Sequence, residues 1–305
     1  MSRGAVVSRG GYGAIIDALR GVTWPARRPS RGATSGTHRS RLTGVSSEFT
    51  QYRPYRQGDD PRRLDWKLLA RTDRAYMRIT SDRAIMETVL IVDASASMAF
   101  PERTNEKWVQ ACRVSVGLAA VAHASGDPVG LLVPGATRTV QLPARTRRGI
   151  VAELARTLDG IEPAGGALLT PALQVVRRTA RVVIVSDLLG DGDDLLRSAR
   201  ELAIEGEVYA VHIVARAELN PTGPAIMATD PEHPEIKRPL VLATRDEYIR
   251  AFAEWRAETA RAWRAAGAVY TEVVTDEPAA HAIRRITRAP DPRPQTPGPL
   301  SQVST

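Results

Sequence analysis

The strongest chemical signal is a set of oxygen-bearing side chains at the ends of apolar runs. In VLIVDASASM, Val89 to Met98, the run stops on Asp93, and Ser95 and Ser97 follow at alternate positions. In RVVIVSD, residues 181–187, a second apolar run stops on Asp187. Carboxylate and hydroxyl oxygens are what a hard cation such as Mg²⁺ takes, with waters kept at several positions. Small serines after a strand also serve a plainer purpose, satisfying backbone N–H groups at a loop or helix start. The sequence leaves both uses open. A third use makes Asp93 the nucleophile of a Mg²⁺-dependent phosphohydrolase. It places the aspartate well but finds Ser95 where such enzymes need a second acid to protonate the leaving group.

Other chemistries lack their residues. The chain has no G-x-x-x-x-G-K-[ST] loop, no H-E-x-x-H and no G-x-S-x-G, so it does not read as an ATPase, a zinc protease or a serine hydrolase. His38, His123, His212, His233 and His281 are scattered without metal-ligand spacing and read as structural or solvated. Cys112 is the single cysteine. It lies on an apolar helix face, cannot form an internal disulfide, and fits a cytoplasmic setting. Gly10, Gly11 and Gly13 have no strand before them, so they are not a dinucleotide loop.

The elements that would position the acids alternate along the chain. Apolar runs at 88–93, 128–134, 181–187, 207–214 and 268–274 read as strands, with a further strand at 137–143 after a turn at Gly135. Helical spacing of apolar residues falls at 106–125, 147–159, 171–179, 193–205 and 245–266. This alternation predicts an α/β fold, a doubly wound and mostly parallel sheet with helices on both faces. In such sheets ligands sit beyond the carboxyl ends of the strands, which is where Asp93 and Asp187 stand. Residues 224–242 read as an antiparallel excursion at the sheet's edge. The longest weakly polar stretch, Val114 to Ala124, is too short to span a bilayer.

DASASM resembles the D-x-S-x-S signature of the metal-ion-dependent adhesion site in von Willebrand factor A domains. EFTQYRPYRQGDDPRRLDWKLLARTDRAYMRI, Glu48 to Ile79, is similar to the hallmark of the bacterial domain of unknown function 58 family. HRSR, His38 to Arg41, and TDEP, Thr275 to Pro278, match as well, so the resemblance spans roughly residues 37–288. It implies a von Willebrand factor A-like domain working as a non-enzymatic adaptor with a MoxR-type AAA+ ATPase and a client protein. It also implies Asp93, Ser95, Ser97 and Asp187 as metal ligands. One position departs from the pattern. In GGALLTPAL, Gly165 to Leu173, Ala167 holds the place of a ligating threonine, and Thr170 is the nearest substitute. Weak Mg²⁺ or Mn²⁺ binding is therefore expected.

Within the hallmark, Asp60 is placed to cap a helix beginning at Pro61. Trp66 either anchors the segment to the domain or joins Arg53, Arg56 and Arg62 in a partner-binding surface, since Trp and Arg are enriched at interface hot spots.

Residues 1–47 hold eight arginines and one acid, Asp17, and carry nearly all of the chain's +8 charge. They read as a largely disordered arm, with a short helix near 14–24, and attraction to nucleic acid or another anionic partner is its functional reading. Deleting residues 1–36 is expected to leave thermal stability nearly unchanged. The division is thus an arm at 1–47, a hallmark segment at 48–85 packing on the main domain, an A-like domain at 86–288 and a Pro-rich disordered tail at 289–305.

Overall fold

The computed structural model describes residues 11–27, 48–56, 64–81, 85–135, 138–166, 168–190, 192–221, 225–229 and 237–288. The chain divides into two units. One comprises residues 1–27 and 86–305, and the other residues 28–85.

The larger unit is built on a six-stranded sheet of β3 (Thr88–Val92), β4 (Val129–Val133), β5 (Val140–Arg145), β6 (Arg181–Ser186), β7 (Glu207–Val214) and β10 (Val269–Val274). The spatial order is β10-β7-β6-β3-β4-β5, parallel throughout except for the antiparallel edge strand β5. Strands β3, β4, β6 and β7 are buried along their whole length, which is why they read as unbroken apolar runs rather than alternating ones. Successive side chains point to opposite faces. Leu90, Val92, Val183 and Val185 enter one core, with residues of α1 (Tyr12–Ala18), α3 (Glu106–Ala124), α4 (Ile150–Asp159) and α9 (Ala279–Thr287). Val89, Ile91, Val182 and Ile184 enter the other, with residues of α5 (Thr170–Gln174), α6 (Gly192–Glu205) and α8 (Leu242–Ala265). The predicted doubly wound fold is the observed one.

Two expectations change. Residues 225–241 do not extend the main sheet; β8 (Ala225–Thr229) and β9 (Lys237–Val241) pair only with each other. Residues 12–27 are not a free arm either. Tyr12, Leu19 and Trp24 belong to the core, and Trp24 is 2% exposed. Its indole N–H donates to the Tyr209 hydroxyl at 3.1 Å, and the Arg181 guanidinium lies 4.3 Å from its ring centroid. Arg181 is fully buried and reaches Glu207 at 3.1 Å, Asp127 at 3.3 Å and the Trp24 carbonyl at 3.1 Å. An apolar ring, a buried cation and two carboxylates together give these residues a fixed seat that their Gly- and Arg-rich composition concealed. Residues 1–10 and 28–47 of the expected arm, and the expected tail at 289–305, lie outside the described residues.

The smaller unit pairs β1 (Glu48–Pro54) antiparallel with β2 (Tyr76–Ser81) around α2 (Trp66–Thr72). Asp65 caps α2, its carboxylate accepting from the backbone N–H groups of Lys67 and Leu68, each at 3.0 Å. The cap expected at Asp60 lies outside the described residues. Trp66 opens α2 and is 63% exposed.

Candidate functional site at the strand ends

The chain runs from β3 to β4 and β5 on one side, then crosses back to β6 and continues to β7 and β10 on the other. The order therefore reverses between β3 and β6, the switch point at which sheets of this kind place their ligands. Asp93 and Asp187 directly follow those strands. The Asp93 N–H donates to the Val185 carbonyl at 2.9 Å, carrying the ladder one residue past β3. One Asp93 oxygen accepts from the Ser95 N–H at 2.8 Å and the other from the Ser186 hydroxyl at 2.6 Å. Ser95 precedes a 3-10 turn, Ala96–Ala99, without capping it by its side chain; its hydroxyl meets that of Ser97 at 3.0 Å. The serines thus face one another instead of serving as backbone caps. The Gly165–Gly166 loop is tied to the same place, through Ala96 N–H to Gly165 at 2.8 Å and Ala164 N–H to Ala94 at 3.0 Å. Thr170 opens α5 and is half-buried. Residue 167 lies outside the described residues.

Asp93, Ser95, Ser97 and Asp187 are all at most 4% exposed. Burial, with the nearby Asp187 charge, raises the Asp93 pKa to about 6, against the pull of its hydrogen bonds from Ser186 and Ser95.

Sequence reasoning missed the residue that dominates the electrostatics. Lys107, in the first turn of α3, is 1% exposed, and its ammonium lies 3.0 Å from Asp187 Oδ2 and 2.5 Å from Glu218 Oε1. The Phe100 ring covers it, with its centroid 5.6 Å away. Burial works against this charge, but Asp187 and Glu218 more than offset it and hold the lysine pKa above its ordinary value. Glu218 belongs to α7 (Arg216–Leu219), where it also accepts from the Ala215 N–H at 2.7 Å. A sequence signal was present: Lys107 shares a helical stripe with Ala111, Val114 and Leu118, all fully buried. His212 on β7 is level with Ser186 on β6. Burial lowers its pKa to about 4, so the imidazole is neutral at pH 7, and its Nδ1 lies 2.6 Å from the Tyr270 hydroxyl.

A divalent cation does not fit these residues as they stand. The oxygens are of the right kind, but Asp187 is committed to Lys107 and both Asp93 oxygens are already hydrogen-bonded. Among the described residues, no group of three or more His, Cys, Asp or Glu could hold a metal ion. A dication placed about 4 Å from a partly buried ammonium meets repulsion of roughly 8 kcal/mol, twice the unit-charge value at an effective dielectric of 20. The phosphohydrolase use of Asp93 fares no better, because the carboxylate is 4% exposed and hydrogen-bonded through both oxygens. A cavity of about 650 Å³ lies elsewhere, against β10, between Arg256, Arg264, Tyr270, Glu272, Arg285 and Arg288. Two of these arginines are paired, Arg256 with Glu272 at 2.7 Å and Arg285 with Glu277 at 2.6 Å.

Of the expected partner-binding residues in the smaller unit, Trp66 and Arg56 are exposed and Arg53 is half-buried. Arg62 lies outside the described residues. No helix among the described residues is long and apolar enough to cross a membrane.

Comparison with known proteins finds relatives of the whole chain and of its fold. Uncharacterized proteins of Mycobacterium tuberculosis and Mycobacterium bovis are each 31% identical over 273 residues, covering 86% of this chain and 85% of theirs. Solved structures to which the chain is similar include von Willebrand factor A domains. The SpRpn10 VWA domain is 12% identical, with a TM-score of 0.38 over 66% of this chain and 94% of that one. A von Willebrand factor type A protein from Catenulispora acidiphila is 12% identical, with a TM-score of 0.35 over 68% and 43%. Proximal thread matrix protein 1 from the mussel byssus, with a zinc-occupied MIDAS motif, is 14% identical, with a TM-score of 0.34 over 43% and 38%. The model of a protein family of unknown function, DUF58, matches residues 51–262, and the chain belongs to that family.

Proposed function

We propose that this protein is a non-enzymatic adaptor that uses the loops at the strand ends to hold a partner, a MoxR-type AAA+ ATPase acting on a client protein in maturation or remodelling. The observation that carries the reading is the contrast between the centre and the rim of that edge. At the centre the polar groups are buried and mutually satisfied, leaving no approach for a small substrate. On the loops leaving the same strands, Phe100 and Leu189 are 37% and 52% exposed, and Leu168, in the α4–α5 loop tied to them through Gly165, is 67% exposed. Exposed apolar side chains gathered around one edge support protein contact. Trp66 and Arg56 would give the smaller unit a contact surface of its own. A Mg²⁺ or Mn²⁺ held by Asp93, Ser95, Ser97 and Asp187, the form of site the family resemblance implies, would require Lys107 to leave.

The test is binding of the purified full chain to a purified MoxR-type ATPase by calorimetry. Phe100→Ser together with Leu189→Ser should weaken binding at least about tenfold without unfolding the protein, a loss of ~1.4 kcal/mol. Binding that is unchanged in that variant, or absent in the wild type, refutes the reading. Hydrolysis of a phosphate ester that Asp93→Ala abolishes would instead establish an enzyme.

A further inference from the structure

Carboxylates gathered at a switch point have to be neutralised, by a proton, a bound cation or a cation of the protein's own. Here the third solution is built in. Lys107 reaches in from the first turn of α3, 3.0 Å from Asp187 and 2.5 Å from Glu218, under the Phe100 ring. A lysine is almost never this buried unless paired. With 1% of its side chain exposed, the ammonium has surrendered its water to two carboxylates, one directly after β6 and one on α7. We propose that the Lys107 ammonium replaces the divalent cation at this site, making it a metal-free version of an adhesion site.

The consequence reaches beyond occupancy. A metal-centred site offers an open coordination position to a partner's carboxylate. An ammonium enclosed by Asp187, Glu218 and Phe100 offers none, so recognition here does not depend on divalent ions. Once the lysine charge is removed, its two partners Asp187 and Glu218 are left as paired carboxylates, with the Asp93 charge acting on Asp187 from the neighbouring strand end. That set suits a hard divalent cation. The inference stands whether or not the adaptor reading does, because it concerns what fills the site and not who docks on it.

The experiment measures Mn²⁺ binding to the full chain by loss of the free-ion electron paramagnetic resonance signal. Thermal unfolding in Mn²⁺ and in chelator accompanies it. Wild type and Ala167→Thr should bind no Mn²⁺ at this site and melt alike in both conditions. Lys107→Met, which keeps the chain's length and apolar stem, should bind one Mn²⁺ per chain. At a hundredfold excess over Kd it should melt roughly 5–10 °C higher in Mn²⁺ than in chelator. If wild type or Ala167→Thr binds a Mn²⁺ that Asp93→Ala removes, the lysine is not the resident cation and the inference is overturned. A folded Lys107→Met that ignores Mn²⁺ overturns it as well. If Lys107→Met does not fold, the wild-type and Ala167→Thr titrations decide alone, since a restored threonine ligand beside an unblocked site would bind.

Discussion

Trp24→Ala should unfold the larger unit far more readily than a substitution in a basic leader would. The indole is 2% exposed, lies edge-on to Tyr209 with ring centroids 5.0 Å apart, and faces the Arg181 guanidinium at 4.3 Å. Truncating a buried tryptophan costs about 3–5 kcal/mol, and a desolvated cation–π contact contributes up to about 2 kcal/mol of that kind of loss. These overlap, so about 4 kcal/mol is the expected total. In a domain of this size each kcal/mol moves the midpoint by ~2–4 °C, giving a fall of roughly 8–16 °C. Trp24→Phe keeps a ring under Arg181 and forfeits chiefly the hydrogen bond to Tyr209, so it should lose only about 1 kcal/mol. The assay is thermal unfolding followed by far-ultraviolet circular dichroism, with urea titration to obtain free energies. A loss below about 1 kcal/mol for the alanine variant would mean that residues 12–27 do not hold the core, and that deleting residues 1–36 is harmless after all.

Further outcomes follow from the buried charges and the exposed tryptophan. Arg181→Met should cost about 3–5 kcal/mol because it removes the buried cation that Asp127 and Glu207 share, and Arg181→Met/Glu207→Gln should recover part of that loss in urea titrations. Two groups give opposite pH responses. The native state holds extra protons on Asp93 between 3.8 and about 6, so that group's contribution is lost as pH rises through this window. It holds fewer on His212 between about 4 and 6.5, so that contribution is lost as pH falls through it. The two largely cancel; Asp93→Asn should therefore expose a rise in stability of order 3 kcal/mol from pH 4 to 6.5, whereas a profile parallel to wild type would contradict both assignments. Trp66→Ala should change stability by less than about 0.5 kcal/mol while weakening ATPase binding. A marked loss of stability would place Trp66 in a core.

The sheet and its switch point were legible because the strands are buried on both faces and spell themselves out as apolar runs. Two of those runs end in aspartates, and the parallel pairing of β3 with β6 brings Asp93 and Asp187 to neighbouring strand ends. Lys107 was not legible in the same way. A lysine early in a helix reads as solvated, and only its position on the stripe of Ala111, Val114 and Leu118 betrays that it points inward. Glu218 and His212 come from a helix and a strand over 100 residues away in sequence, so no local spacing connects them to Lys107. Trp24 was hidden by its company, because average composition over residues 1–47 is set by arginine, glycine and serine, while the seat is set by one ring and by Arg181, 157 positions later. The 225–241 hairpin was legible as antiparallel, but which strand it would pair with was not.

The Arg181 cluster also fixes where the chain leaves and rejoins the larger unit. Glu207 accepts the backbone N–H of Arg27, and Asp127 accepts that of Met86 at 3.2 Å. These are the last and first residues of the larger unit on either side of residues 28–85. The larger unit is thus closed, on either side of residues 28–85, at a single knot of charge. The knot also sits at the first residue of β6, and Asp187 directly follows the last. One strand of about 20 Å therefore joins the place where Arg27 and Met86 are held to the place where Lys107 holds its carboxylates.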